Sequence, residues 1–501
     1  MDLIIQGIQG LFSNPINIMY FLAALFGGLF FGAVPGISVV TLGAIILPFT
    51  AYLDTSQALM IYGVMYCSGT FGGAVMAILF NIPGAAENAP PALGGSPLTK
   101  KGKAGLAIGT AVSCSAIGGI LSCVGMMLGT DAIARWAIRS FGPPEMFAVI
   151  FCGCAVAATV GASSTLKGWI SLFIGLLLST VGQDPVGGIS RYTFGVVGLS
   201  SGISFIPLLL GFFSITEVLS NAGKSVCFKP EVPKVQIEFP SLSLFWKQRF
   251  NVLRSSFVGF FCGLLPGLGA TLAAFLSYSE ARRWSKNPEN FGKGEISGVV
   301  ASETGNNAAT GGAMIPMLAL GLPGGSTTAL MLSVFMLHGL EPGPLIMVEQ
   351  EGMVWSVFTS MLLANCCILF LGYVTMRIVV NLLRIPNNYL MPIVFVLATI
   401  GAYALRNSTF DVVIMLAAGI AGFFLRRRGY SPASIVLGSI LGSLGESALA
   451  KSMQLSTYDW TIFFSRPFAA FFMISGIIAI LLTIWRGIRE VVQRRNADLP
   501  Q

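Results

Sequence analysis

The sequence predicts an all-α polytopic membrane protein with about 12 spans, some broken or re-entrant, arranged as two repeated and inverted halves. Three observations carry that expectation. Of 501 residues, 54% are hydrophobic and only 10% are charged, whereas a soluble domain carries roughly 25% charged residues. A water-soluble chain so poor in charge could not cover its own surface, and the mean hydropathy is accordingly +0.79. Glycine accounts for 60 residues, against roughly 7% in average usage, which suits a membrane interior where small residues let helix backbones approach. Finally, two motifs recur in order: GAVPG (32–36) with GLLPG (263–267), and GGAVMAILFNIPG (72–84) with GGAMIPMLALGLPG (311–324), at offsets of 266 − 35 = 231 and 323 − 83 = 240 residues.

A helical span needs about 20 apolar residues. In the first half, such runs cover 16–34, 37–53, 58–82, 104–129, 146–163, 167–181 and 203–222. The second half offers 251–265, 268–280, 297–338 (read as broken), 354–384, 391–405, 410–425, 432–448 and 467–486. Several are too short to cross alone, so some are expected to be half-spans or hairpins. The chain therefore divides into a first membrane repeat (1–223), a polar cytoplasmic linker (224–250), a second membrane repeat (251–488) and a basic cytoplasmic tail (489–501).

The net charge of +8 does not point to nucleic acid, because the basic residues lie in short clusters between apolar runs. Examples are Lys100, Lys101 and Lys103; Arg282, Arg283 and Lys286; and Arg426, Arg427 and Arg428. That is the distribution of cytoplasmic loops under the positive-inside bias. The cysteines sit mostly in apolar runs without ligand-like spacing, so neither a disulfide framework nor a metal site is expected. The opening MDLIIQGIQG lacks a basic n-region and a small-residue cleavage site, so no removable leader is expected. Orientation follows from charge. The segment 255–280 has basic flanks on both sides, whereas 16–53 ends at Asp54 without Lys or Arg. The two are expected to be hairpins entering from opposite sides, turning at their Pro-Gly pairs, as inverted-repeat transporters do.

Four Pro-Gly elements fall inside apolar sequence: Pro35-Gly36, Pro83-Gly84, Pro266-Gly267 and Pro323-Gly324. Proline removes a backbone donor and glycine permits unusual dihedrals. Freed backbone groups are tolerated in a membrane only where they line a cavity or are buried in protein. Discontinuous helices meeting at a central site are the expectation, and half-helix N-termini there suit an anionic substrate. Those elements, with Asn81, Asn88, Ser326 and Thr327, are the expected substrate-binding residues. A second polar stretch places Glu303, Asn306, Asn307 and Thr310 on one helix face. A fixed carboxylate repels an anionic substrate but would hold a coupling sodium ion, or titrate if protons are carried. Glu303 could instead be a solvated residue at the interface, and burial separates the two readings. His338, the only histidine, lies near an expected span end and reads as an interfacial residue.

At these stretches the chain resembles the large membrane subunit of tripartite tricarboxylate transporters. The likeness rests on residues 69–105, on residues 291–344 and on GAVPGISVVTLGAIILPFT (32–50), and extends over roughly residues 15–485. The resemblance implies a bacterial inner-membrane permease that works with a small membrane subunit and a periplasmic solute-binding protein. It also implies uptake of citrate or another small carboxylate, driven by a Na+ or H+ gradient, with no cofactor. The chain departs from the family in having Ala85 and Gly94-Gly95 where a small hydroxyl residue and an Asp-Gly are usual, and it also has Glu87 in that loop, which bears on the substrate and not on the class.

Other function classes fare worse. No Walker A loop is present, in keeping with a secondary transporter. An intramembrane serine protease would need a histidine, and only His338 is available. A magnesium-dependent lipid transferase would need clustered acidic residues, and the 21 acidic residues are dispersed. A passive channel would not require paired broken helices, and it is the alternative that flux measurements must separate.

Overall fold

The computed structural model describes residues 2–497 apart from 13, 35–37, 82–84, 159–163, 185–187, 223–237, 266–268, 344, 383–386 and 405. Helices dominate. In the first half they are α1 (Asp2–Phe12), α2 (Pro15–Ala33), α3 (Val39–Thr50), α4 (Thr55–Phe80), α5 (Ala89–Lys100) and α6 (Ala104–Ser140). There follow α7 (Pro143–Ala157), α8 (Thr165–Ser179) and α9 (Phe205–Asn221). A two-residue antiparallel ladder pairs β1 (Gly182–Gln183) with β2 (Ser190–Arg191). The second half holds α10 (Leu242–Gly263), α11 (Gly269–Arg283), α12 (Ile296–Leu320), α13 (Ser326–Leu337) and α14 (Glu351–Leu382). Last come α15 (Asn387–Ala404), α16 (Thr409–Arg427), α17 (Pro432–Leu455) and α18 (Pro467–Ala497). Among the described residues, six helices are long and apolar enough to cross a membrane, and most of the rest are shorter apolar helices.

The boundaries follow local chemistry. Asn14 caps α2 through its side chain, with Pro15 in the first turn where no donor is needed. Ser38 and Ser241 cap α3 and α10 in the same way. The C-termini of α4 and α12 are equivalent. Asn81 (φ 58°) and Gly321 (φ 66°) both adopt the left-handed conformation that ends a helix, each just before a Pro-Gly pair. Three features lay outside the sequence reading. Helix α1 forms and packs on α14, the polar run is helical from Leu242 and continuous with α10, and the basic tail continues α18 as far as Ala497.

The helices form two compact units. The first comprises Met1–Ala134 with Ser220–Gly401, and thus draws on both halves of the sequence. Its backbone contacts repeat the sequence symmetry: α2 packs on α4 as α10 packs on α12. Glycines at matching positions make both contacts. A Cβ on Gly32 would lie 2.5 Å from the Gly69 carbonyl oxygen, and one on Gly263 would lie 2.4 Å from that of Ala309. Gly32 and Gly263 are 231 residues apart, the offset of the first motif pair. This is the small-residue packing that brings membrane helices together.

The short helices join the two halves, and α5 packs on α4 of its own half as well. Helix α5 packs on α12 of the second half, and α13 packs on α3 and α4 of the first. The Thr99 hydroxyl donates to the Ile78 carbonyl (2.9 Å), while Lys101 Nζ donates to the Lys293 carbonyl (2.7 Å). The end of α4 therefore lies beside the start of α12. At the opposite end of α4, Thr55 Oγ1 meets Nδ1 of His338, the residue after α13 (3.2 Å). Corresponding helices run in opposite directions, as an inverted repeat requires. Cysteines placed at the exposed positions of Asp54 and Lys286 in a cysteine-free background are expected to react with an impermeant thiol reagent from opposite faces. Labelling of both from one face would refute the inverted arrangement.

The second unit comprises Arg135–Leu219 with Ala402–Gln501. Here α17 packs on α7 and α8, α18 on α7, and α9 on α16. Among the described residues, four arginine–carboxylate pairs fasten it: Arg191–Glu446 (2.6 Å), Arg466–Glu145 (2.5 Å), Arg406–Asp411 and Arg426–Glu217. Three of these join residues more than 200 positions apart. The arginines are partly exposed, whereas Glu145 and Asp411 are buried, so removing the arginine beside either would leave an uncompensated buried charge.

Candidate functional site

The site lies within the first unit, on α12 and the helices around it. Along α12, Ser302 to Thr310 is the most polar run of a helix otherwise rich in alanine and glycine, and every residue in it is fully buried. Its faces are divided. Gly305 packs against Ser277 of α11, and the carbonyl of Ala308 accepts from Ser122 of α6. Glu303, Asn307 and Thr310 share a further face, with Asn306 at its edge, because positions three and four apart align on a helix. Thr310 is satisfied internally, donating to the Asn307 carbonyl (2.7 Å).

Glu303 is thus a carboxyl group inside the bundle, not a solvated residue at the interface. Its Oε2 accepts from Ser115 Oγ of α6 (2.6 Å), while Oε1 has no partner. No lysine, arginine or histidine pairs with it among the described residues. The neighbouring amides share this incompleteness. Asn306 Oδ1 and both amide atoms of Asn307 are buried without partners, as is Oδ1 of Asn365 on α14. Unpartnered buried polar atoms are rare, and each costs about 1–3 kcal/mol. Those along α12, on Glu303, Asn306 and Asn307, mark a place built for something that completes it. The donor set is one carboxylate and several amide oxygens, which are ligands for a hard cation or a relay for a proton.

The broken segment of the first half reaches the same helix. Asn88 ends a short 3-10 turn, Ala86–Asn88, that leads into α5. It is buried, and its Oδ1 accepts from Asn306 Nδ2 at a long 3.5 Å. Its amide also fills the space above Gly73 of α4, where an added Cβ would lie 2.0 Å from Nδ2. Glu87 in the same turn lies against Thr271 of α11. In the second half, Pro323 and Gly324 are buried in the break between α12 and α13, and Ser326 and Thr327 are half-buried in the first turn of α13. Thr328 Oγ1 caps that turn by accepting from the Gly325 N–H (2.8 Å).

The expected residues therefore separate into three groups. Asn88, Glu303, Asn306, Asn307 and Thr310 are gathered around the middle of α12, while Pro323, Gly324, Ser326 and Thr327 form the break after it. Asn81 lies apart, exposed at the end of α4, where its backbone acts as a cap. Pro35, Gly36, Pro83, Gly84, Pro266 and Gly267 lie outside the described residues. Ser115 and Asn365 were missed. Asn365, a lone amide in an apolar run, carried a usable signal because polar groups inside spans are rarely idle. Ser115, in the small-residue sequence SCSAIGG, carried none.

Residues 18–437 match the Tripartite tricarboxylate transporter TctA family. This chain belongs to the TctA family. TctA proteins are the large subunits of tripartite tricarboxylate transporters, so the chain is a multi-pass membrane protein of a transport system. Two relatives from Agrobacterium vitis share its sequence. An uncharacterized 52.8 kDa protein in the TAR-I ttuC' 3' region is 34% identical over 477 residues, 95% of both chains. An uncharacterized protein in the TAR-II ttuC' 3' region is 38% identical over 232 residues, 46% of this chain and 96% of that relative. No solved structure matches. The TctA match spans both broken segments and all of α12, so every residue of the site falls inside it.

Proposed function

We propose that this TctA chain is the permease of a bacterial inner-membrane importer for a small carboxylate, driven by a Na+ or H+ gradient. It works with a small membrane subunit and receives substrate from a periplasmic solute-binding protein. The supporting observation is that short helices following a break in each half pack about α4 and α12, beside a buried face of α12 that lacks partners. The substrate carboxylates are assigned to the Pro-Gly breaks, including Pro83-Gly84 and Pro323-Gly324, where helix N-termini contribute about 0.3–1 kcal/mol each, more when partly buried. Asn88, Ser326 and Thr327 add side-chain hydrogen bonds worth about 1.5–3 kcal/mol each to a charged group. The coupling cation or proton is assigned to Glu303, Asn306 and Asn307, with Thr310 fixing the local backbone. Keeping anion and cation at neighbouring but separate positions lets each favour binding of the other.

The decisive experiment is uptake of labelled carboxylate at micromolar concentration in cells with and without the binding protein. Loss of high-affinity uptake on its deletion is the expected result, and undiminished uptake would count against the assignment. Flux into proteoliposomes should also saturate with substrate and collapse with the gradient, whereas a passive channel would show neither property.

A further inference from the structure

Within the second unit, the start of α8 and the end of α16 enclose an open pocket of about 610 Å³, lined by Lys167, Arg427, Arg428, Gly429 and Tyr430. We propose that this pocket binds the headgroup phosphate of an anionic phospholipid in the cytoplasmic leaflet.

Charge is the first reason. Lys167 Nζ is held in place by the Arg428 carbonyl (2.6 Å) and lies 5.8 Å from the centre of the Tyr430 ring. The guanidinium of Arg427 lies over Phe423 at 4.6 Å. Of the three consecutive arginines, Arg426 is occupied by Glu217. No carboxylate pairs with Lys167, Arg427 or Arg428 among the described residues. Three like charges brought to one pocket without a counter-ion favour an anion. The first turn of α8, capped by Ser164 through the Lys167 N–H (3.5 Å), adds its partial positive charge.

The flanks indicate which anion. Leu166, Ile170, Phe173 and Leu177 form an exposed apolar stripe along α8, starting beside Lys167. Ile420 and Phe424 are likewise exposed on α16 just before the arginines. A soluble anion has no use for such surroundings. A phospholipid needs both, a basic recess at headgroup depth and apolar helix faces for its chains. The arginine cluster places this recess on the cytoplasmic side by the positive-inside bias, and basic pockets between helices on that side are where anionic headgroups bind. The inference does not depend on the carboxylate reading.

The test uses the full chain in detergent micelles, titrated with phosphatidylglycerol or with phosphatidylcholine, reading the thermal unfolding midpoint. Phosphatidylglycerol should raise the midpoint of the wild type and phosphatidylcholine should not. In Arg427→Gln/Arg428→Gln, the phosphatidylglycerol needed for half the shift should rise on the order of tenfold. Arg282→Gln/Arg283→Gln, which removes the same charge elsewhere, should behave as wild type. Should the double variant fail to fold, Arg427→Gln alone carries the comparison, since that residue is exposed and its guanidinium stacks on the Phe423 ring. An unchanged shift in the pocket variants, or an equal loss in the control pair, would overturn the proposal. So would an equal shift produced by inorganic phosphate, which would mean a site for a free anion.

Discussion

Replacing Glu303 by glutamine is expected to remove the dependence of uptake on the driving ion and to lower concentrative uptake by at least about tenfold. Glutamine keeps the volume and can still accept from Ser115, so packing around α12 is preserved. What disappears is the charge, and with it the ability to hold a cation or exchange a proton. Hydrogen bonds and contacts to a charged group are worth about 1.5–3 kcal/mol, or roughly 10-fold to 150-fold in an equilibrium. A carboxyl group buried without a basic partner must be neutralised by a bound cation or by a proton. The two cases separate experimentally. If sodium binds, the variant loses sodium stimulation. If protons are carried, it loses the pH dependence of uptake while substrate exchange persists. Ser115→Ala should show a milder form of the same defect, because it removes one donor and leaves the charge. Normal rate, ion dependence and pH dependence in Glu303→Gln would move the coupling site elsewhere. Glu87 would then be the next residue to test, since Glu446 is already committed to Arg191.

The legible part of this molecule was what its covalent chemistry dictates locally. The Pro-Gly pair at Pro323-Gly324 announced the break between α12 and α13, and the spacing of Glu303, Asn306 and Asn307 announced one polar face. Helix α5 was not legible. Its sequence, APPALGGSPLTK, holds three prolines and two glycines and reads as a loop on propensity. Pro90 and Pro91 are harmless in a first turn, where their missing donors have no partner to lose. Gly94 and Gly95 serve the tight fit of α5 between neighbours. A Cβ at Gly94 would come within 3.0 Å of Val299, and one at Gly95 within 2.6 Å of Ile78. The packing of α5 and α13 across the two halves could not be read either, because nothing local to a short helix says which neighbour it will cover. For the same reason Ser115 became visible only once α6 was placed beside α12.

Substitution of Gly324 by alanine is expected to cut transport sharply, and a second substitution, Ala313→Gly, should restore much of it. Gly324 is not held in a left-handed conformation, so its need for glycine is one of space. An added Cβ would lie 2.7 Å from the Ala313 Cβ of α12. Contacts so short force the backbone to move. Overpacking of this size costs about 1–3 kcal/mol, and the loop is the only one of the two partners free to yield, because Ala313 sits within a helix packed on all sides. The displaced loop carries the first turn of α13, so Ser326 and Thr327 would leave the positions assigned to the substrate. If that strain is felt in transport, the rate falls by roughly 5-fold to 150-fold. Gly324→Val, with a larger side chain against the same wall, should be worse. Ala313→Gly removes the obstructing atom and leaves the Ala313 Cα and the Gly263 carbonyl oxygen each 3.3 Å away, a distance the loop can absorb with a shift of a few tenths of an ångström. Transport should be measured per molecule of transporter in the membrane, with Ala313→Gly alone as the control. A Gly324→Ala variant with wild-type kinetics would remove the break between α12 and α13 from the substrate path. A defect that Ala313→Gly fails to relieve would mean that Gly324 serves something other than close packing against α12.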